Sequence, residues 1–129
     1  MTADLGMADP RLITLWPDIL ASYRMAHPGH DAILTCTYRS PAEQAALYAK
    51  GRTVPGQIVT NCDGVRTLSN HNHFPSLALD FCILIQGKVS WDSAEYVPVG
   101  ILGEARGLVW GGAWAHFPDY PHLELKEAT

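Results

Sequence analysis

Residues 77–85 read Leu-Ala-Leu-Asp-Phe-Cys-Ile-Leu-Ile, an apolar run broken by one carboxylate, Asp80. Flanked by Pro75-Ser76 and Gln86-Gly87, such a run reads as a buried strand. A carboxylate inside it is costly unless the fold brings it a partner of opposite charge or a cation. The partners on offer are histidines. Ser69-Asn-His-Asn-His73 lies just upstream, and Asp119-Tyr-Pro-His122 lies nearly forty residues downstream.

The rest of the chain supplies elements that can hold these segments together. Asp9-Pro10 marks a helix start, with Leu12, Leu15, Trp16, Ile19, Leu20 and Tyr23 at helical spacing. Pro17 is expected to divide this segment into a short turn and a second helix ending near His27-Pro28-Gly29. Residues 32–38 are β-branched and apolar, hence a strand. Ser40-Pro-Ala-Glu43 forms a capping box for a helix that runs to about Lys50 and stops at Gly51. Residues 51–68 lack periodicity and are expected to form a long loop, a length more often functional than idle. After the strand at 77–85, Gln86-Gly87 makes a tight turn and residues 88–91 a hairpin partner. A helix capped near Asp92, interrupted near Pro98 and ended at Gly107, leads to short strands at 108–110 and 121–125. The order of elements predicts an α+β fold, a small, mainly antiparallel sheet with flanking helices.

At 129 residues the chain suits one domain, residues 1–129. Its 47% hydrophobic and 17% charged content exclude disorder as the default class, and its longest apolar run is too short to span a bilayer. A net charge of −4 without a basic cluster argues against nucleic acid as a partner. Cys36, Cys62 and Cys82 have no Cys-x-x-Cys spacing and read as reduced packing residues. No stable membrane insertion is expected, and a monomer is the simplest state. No signal-peptide pattern is read at the N-terminus, so synthesis and folding in the cytoplasm are the expectation.

A histidine, a strand carboxylate and a distant histidine match the three-ligand pattern of a catalytic zinc site, which keeps its fourth position for water. The candidates are His71 or His73, then Asp80, then His122, with Asp119 near enough to act on that water. Glu124 shares a strand face with His122 and is the second candidate for the base, or a partner that fixes the His122 ring. Arg39 stands where a strand hands over to a helix and can project into a cleft. Trp110, Trp114 and Tyr120 are candidates for lining the groove, or for core or rim packing; His116 reads as exposed or structural.

Tyr38-Arg-Ser40, Glu43-Gln-Ala-Ala-Leu-Tyr48, Gly51-Arg52, Pro55-Gly56, Val59-Thr60, Ser69-x-His71-Asn72, Ala78-x-Asp80, Trp110-Gly-Gly112 and Asp119-x-x-His122 occur in that order. In this the chain resembles the zinc peptidases of peptidoglycan, the D-Ala-D-Ala carboxypeptidases and the L-alanyl-D-glutamate endopeptidases used as phage endolysins. The resemblance spans about residues 35–125. It implies a hedgehog/D-Ala-D-Ala peptidase-like fold, a Zn2+ cofactor held by His71, Asp80 and His122, and Asp119 as general base. It implies Arg39 as a catalytic or substrate-binding residue, with Ser69 and Trp114 also on the substrate side.

One departure leaves the first ligand open. His73 has the family's seven-residue separation from Asp80, whereas the Ser-x-His-Asn pattern belongs to His71, nine residues away. An insertion at Phe74-Pro75 would reconcile the two and favours His71; Ser76 then stands where a glycine is usual. The resemblance further implies hydrolysis of peptidoglycan stem peptides, at the L-Ala–D-Glu bond, with removal of terminal D-Ala as the alternative. A cell-wall-binding module that keeps the metal without catalysis is a reading of another class. The expected biology is a bacteriolytic phage enzyme held in the host cytoplasm until a membrane pore releases it to the wall.

Overall fold

A computed structural model describes residues 1–126. Helix α1 spans Pro10–Ala26, with Asp9 as its N-cap accepting from the Arg11 N–H. It is one continuous helix, which corrects the expected break at Pro17. Leu12, Trp16, Ile19 and Tyr23 are all buried along one side, while Ile13 and Pro17 are exposed. The Ile13 carbonyl that loses its partner to proline therefore lies on the exposed side, where the loss costs least, and the burial of the opposite face holds the helix together.

Strand β1 is His30–Cys36 and helix α2 is Pro41–Ala49. The capping box forms as expected: Ser40 Oγ accepts from the Glu43 N–H and Glu43 Oε1 from the Ser40 N–H. Residues 51–68 form turns and bends without a helix or strand. Strands β2 (Ala78–Ile85) and β3 (Lys88–Ser90) make the hairpin, turning at Gln86 and Gly87, both with positive φ. Helix α3 spans Val97–Ala105, preceded by a single 3-10 turn at Ser93–Tyr96. Pro98 sits in the first turn of α3, where its missing N–H has no helical partner to lose, so it starts the helix instead of kinking it. Strands β4 (Leu108–Trp110) and β5 (His122–Leu125) complete the sheet.

All the strand pairs among the described residues are antiparallel, in the order β1-β2-β5-β4, with β3 also on β2. β2 is the axis. Its first half pairs with β5, its second half with β3, and its other edge with β1. Because strand side chains alternate, the sheet has two unlike faces. Leu79, Phe81, Ile83, Leu123 and Leu125 point into a core closed by α1 and α3, where Trp16 packs against Phe81 with ring centroids 5.6 Å apart. Asp80, His122 and Glu124 occupy the alternate positions, and all three line a groove on the other face.

Trp110 belongs to the core, 8% exposed, with its indole N–H donating to the Tyr120 carbonyl. Of the aromatics weighed for the groove, Trp110 and Tyr120 thus serve packing, and Trp114 reaches the groove together with the exposed His116.

Candidate metal centre

β2 and β5 are in register with Asp80 directly opposite His122, which places the two side chains as neighbours on one face. The third member arrives from a 3-10 turn, Asn70–Asn72, capped by Ser69, whose hydroxyl accepts from the His71 N–H. Asn72 completes the cap through its carbonyl oxygen and donates its amide to the Arg39 carbonyl at 2.8 Å, while the Arg39 N–H donates to the His71 carbonyl. Turn and strand exit are thereby clamped together. His71 is buried; His73, two residues on, is exposed. The peptide bond between Phe74 and Pro75 is cis.

Three donor atoms converge. His122 Nδ1 lies 2.9 Å from Asp80 Oδ1, His71 Nε2 lies 3.1 Å from the same oxygen, and the two nitrogens are 3.3 Å apart. Donors arranged tetrahedrally at zinc–nitrogen distances lie roughly 3.3 Å from one another. The outer partners decide which ring nitrogens carry protons. His71 Nδ1 is 2.7 Å from the Thr37 carbonyl, which can only accept, so Nδ1 holds the proton and Nε2 turns a lone pair inward. The Glu124 carboxylate, 2.7 Å from His122 Nε2, leaves Nδ1 of that ring facing inward in the same way. Asn70 holds the other Glu124 oxygen at 2.7 Å. With both rings neutral, two lone pairs and a carboxylate oxygen would meet with no proton between them, an arrangement that fits a divalent cation.

Without a bound metal ion, the same geometry shifts the pKa of all three groups. Burial alone would lower both histidines, but hydrogen bonds to Asp80, with Cys36 adding at His71 and Glu124 at His122, outweigh it and raise His71 to about 10 and His122 to about 9. Burial alone would raise Asp80, yet hydrogen bonds from His122 and His71 hold it well below the usual carboxylate range. The site demands positive charge, supplied either by protons or by a metal ion.

Glu124 is thus a partner of the His122 ring on the side away from the three donors, as one of its two expected roles had it. Asp119 stands on the inner side, Oδ2 3.7 Å from His122 Nδ1, with a side chain 41% exposed. Burial raises its pKa, and the charge of His122 partly offsets this. Its place depends on Gly111. The Asp119 N–H donates to the Gly111 carbonyl at 2.9 Å, and a Cβ at position 111 would lie 2.3 Å from the Asp119 carbonyl oxygen. Any side chain there would push this segment away.

Arg39 is buried, with Nη2 3.3 Å from Asp80 Oδ2 and Nη1 donating to Gln44 Oε1 at 2.7 Å. It therefore orients the Asp80 carboxylate while also lining the groove. Gln44 is fully buried and extends this chain of contacts, donating to Thr60 Oγ1 and the Cys62 carbonyl. Trp114 covers the His122 ring at 5.2 Å between centroids. The groove has a volume of about 510 Å3 and is walled by the loop at 59–62, the turn at 68–71 and the segment carrying Trp114, Phe117 and Asp119.

Thr37, Gln44 and Asn70 were not singled out from the sequence. The Thr37 contribution is a backbone carbonyl, which no side-chain pattern announces. Gln44 appeared only inside the Glu43–Tyr48 motif, with no role of its own attached to it.

Residues 63–125 match the model of a family described as D-alanyl-D-alanine carboxypeptidase. The peptidoglycan L-alanyl-D-glutamate endopeptidase CwlK of Bacillus subtilis (strain 168) is 36% identical over 110 residues, 78% of this chain. The chain spans 64% of that relative's length. The crystal structure of the Serratia marcescens L-Ala D-Glu endopeptidase ChiX superposes with a TM-score of 0.65 over 95% of this chain and 83% of that one, at 23% identity, and shows the shared fold. In sequence the chain is thus similar to a family described as D-alanyl-D-alanine carboxypeptidase and to an L-alanyl-D-glutamate endopeptidase, the resemblance that its ordered motifs carry.

Proposed function

We propose that this chain is a zinc peptidase that hydrolyses the L-Ala–D-Glu bond in the stem peptides of bacterial peptidoglycan. The observation that carries it is the convergence of His71 Nε2, Asp80 Oδ1 and His122 Nδ1 at the floor of an open groove, with Asp119 beside them. The choice of bond is supported by CwlK, whose name states that activity. A second reading, release of terminal D-Ala, is supported by the family description.

His71, Asp80 and His122 would hold the ion, with three protein donors leaving room for water and a substrate carbonyl. When bound, zinc supplies a water acidified towards pKa about 7 and polarises the carbonyl it meets. Asp119 accepts the proton of the attacking water and delivers it to the departing amine, a task for which a carboxylate with a raised pKa is suited. Thr37 and Glu124 keep the two imidazoles in the ligating tautomers. Arg39 holds Asp80 in place and supplies positive charge on the groove wall, where it can stabilise a developing oxyanion or a substrate carboxylate. Ser69 acts mainly through the turn it caps, and Trp114 offers an apolar surface to the stem peptide.

A phage origin, with release through a membrane pore, remains part of this proposal and is supported by the endolysin-like motifs. Mass spectrometry of digested muropeptides decides the bond. New amino termini on D-Glu are expected; loss of terminal D-Ala alone would replace this reading with the carboxypeptidase.

A further inference from the structure

β1 meets β2 with an irregularity between Leu34 and Cys36 that sets Cys36 directly opposite Asp80. Asp80 therefore has His122 across one edge of β2 and Cys36 across the other. Cys36 is 2% exposed, and its sulfur lies 3.7 Å from Arg39 Nη2 and 3.9 Å from the Tyr38 carbonyl, within hydrogen-bonding reach of the His71 ring. Donor atoms of Cys36, His71 and Asp80 lie within 4.8 Å of one another, as do those of Asp80, Asp119 and His122. The described residues thus hold two donor sets around Asp80, one on each side of β2.

We propose that Cys36 gives the centre a second seat for a thiophilic metal ion, sharing His71 and Asp80 with the hydrolytic seat. This rests on the metal-site reading above. A carboxylate–imidazole set with a thiol discriminates among ions differently from one with two imidazoles, because sulfur favours soft cations such as Cd2+ over harder ones. On seating, a sulfur–metal bond forms and the thiol proton leaves to solvent. The shared ligands make the two seats mutually exclusive. An ion drawn to the β1 side lacks His122 and stands away from Asp119, so this seat binds metal without supporting hydrolysis.

The test is to load chelator-stripped full-length protein with Co2+ and record its absorption spectrum, then repeat with Cys36→Ser. The wild type should show visible ligand-field bands and an intense near-ultraviolet sulfur-to-cobalt band; the variant should keep the first and lose the second. Cd2+ binding by calorimetry should weaken about tenfold or more in the variant, since losing a direct ligand costs at least as much as losing an outer partner. Ligand-field bands without the sulfur band in wild type would overturn the second seat alone. Absence of all bands would overturn the metal reading with it. The wild-type spectrum decides even if the variant folds poorly.

Discussion

The two faces of the β2–β5 pair are built from alternate residues of the same strands and obey opposite rules. On one face Leu79, Phe81, Ile83 and Leu123 are fully buried and held by close packing. On the other, Glu124 holds the outer nitrogen of His122 at 2.7 Å and Arg39 holds one oxygen of Asp80 at 3.3 Å, which leaves His122 Nδ1 and Asp80 Oδ1 facing the centre. The first face stabilises the fold; the second spends part of that stability on gathering charge. A one-residue slip of β5 would exchange the faces, placing His122 in the core and Leu123 in the groove. Register is therefore the property on which both stability and chemistry depend.

The largest effect should come from Asp119→Ala, which touches the groove face alone. Bound metal is expected to stay stoichiometric while turnover on cell walls falls by about 10²–10⁴-fold. Retained turnover would remove Asp119 as the base. Glu124→Gln should instead weaken metal binding by about 10–100-fold, with much of the activity restored at saturating zinc.

Next in size is the contrast between Phe81→Ala and Asp80→Asn, neighbours that face opposite ways. Phe81→Ala should cost about 3–5 kcal/mol in denaturant unfolding, with or without metal. Asp80→Asn should abolish metal binding yet leave the chelated protein folded. Global unfolding of the Asp80 variant would mean that the groove face is structural as well, and the contrast between the faces would fail.

The last contrast is in pH. In the chelated protein His71 and His122 are raised from 6.5 to about 10 and about 9. A raised folded pKa contributes stability that is complete below the unfolded value and is lost as pH climbs through the folded one. The melting temperature of the chelated protein should therefore decline from about pH 6.5 and level off above about pH 9 to 10, whereas loaded protein, whose histidines are already deprotonated, should not show that decline. Parallel curves would contradict the convergence of these rings on Asp80.

Much of this contrast was legible in the sequence. A carboxylate between Leu79 and Phe81 poses an electrostatic problem that any fold must solve, and Asp119-x-x-His122 offered the solution. Strand alternation placed Glu124 beside His122 but could not say which ring nitrogen it meets, since that depends on the imidazole rotamer. The choice between His71 and His73 was closed to periodicity, because a 3-10 turn and the Phe74-Pro75 segment intervene before β2. Pro17 misled for a different reason: a local rule was overridden by the buried face of α1. Cys36 was read as packing, and only the irregularity in β1 brings it to Asp80.

The most direct measurement is metal content in paired histidine variants of the purified protein. Wild type and His73→Ala are expected to retain one zinc per chain after dialysis, and His71→Ala to retain none. Zinc retained by His71→Ala but lost from His73→Ala would contradict the centre described above.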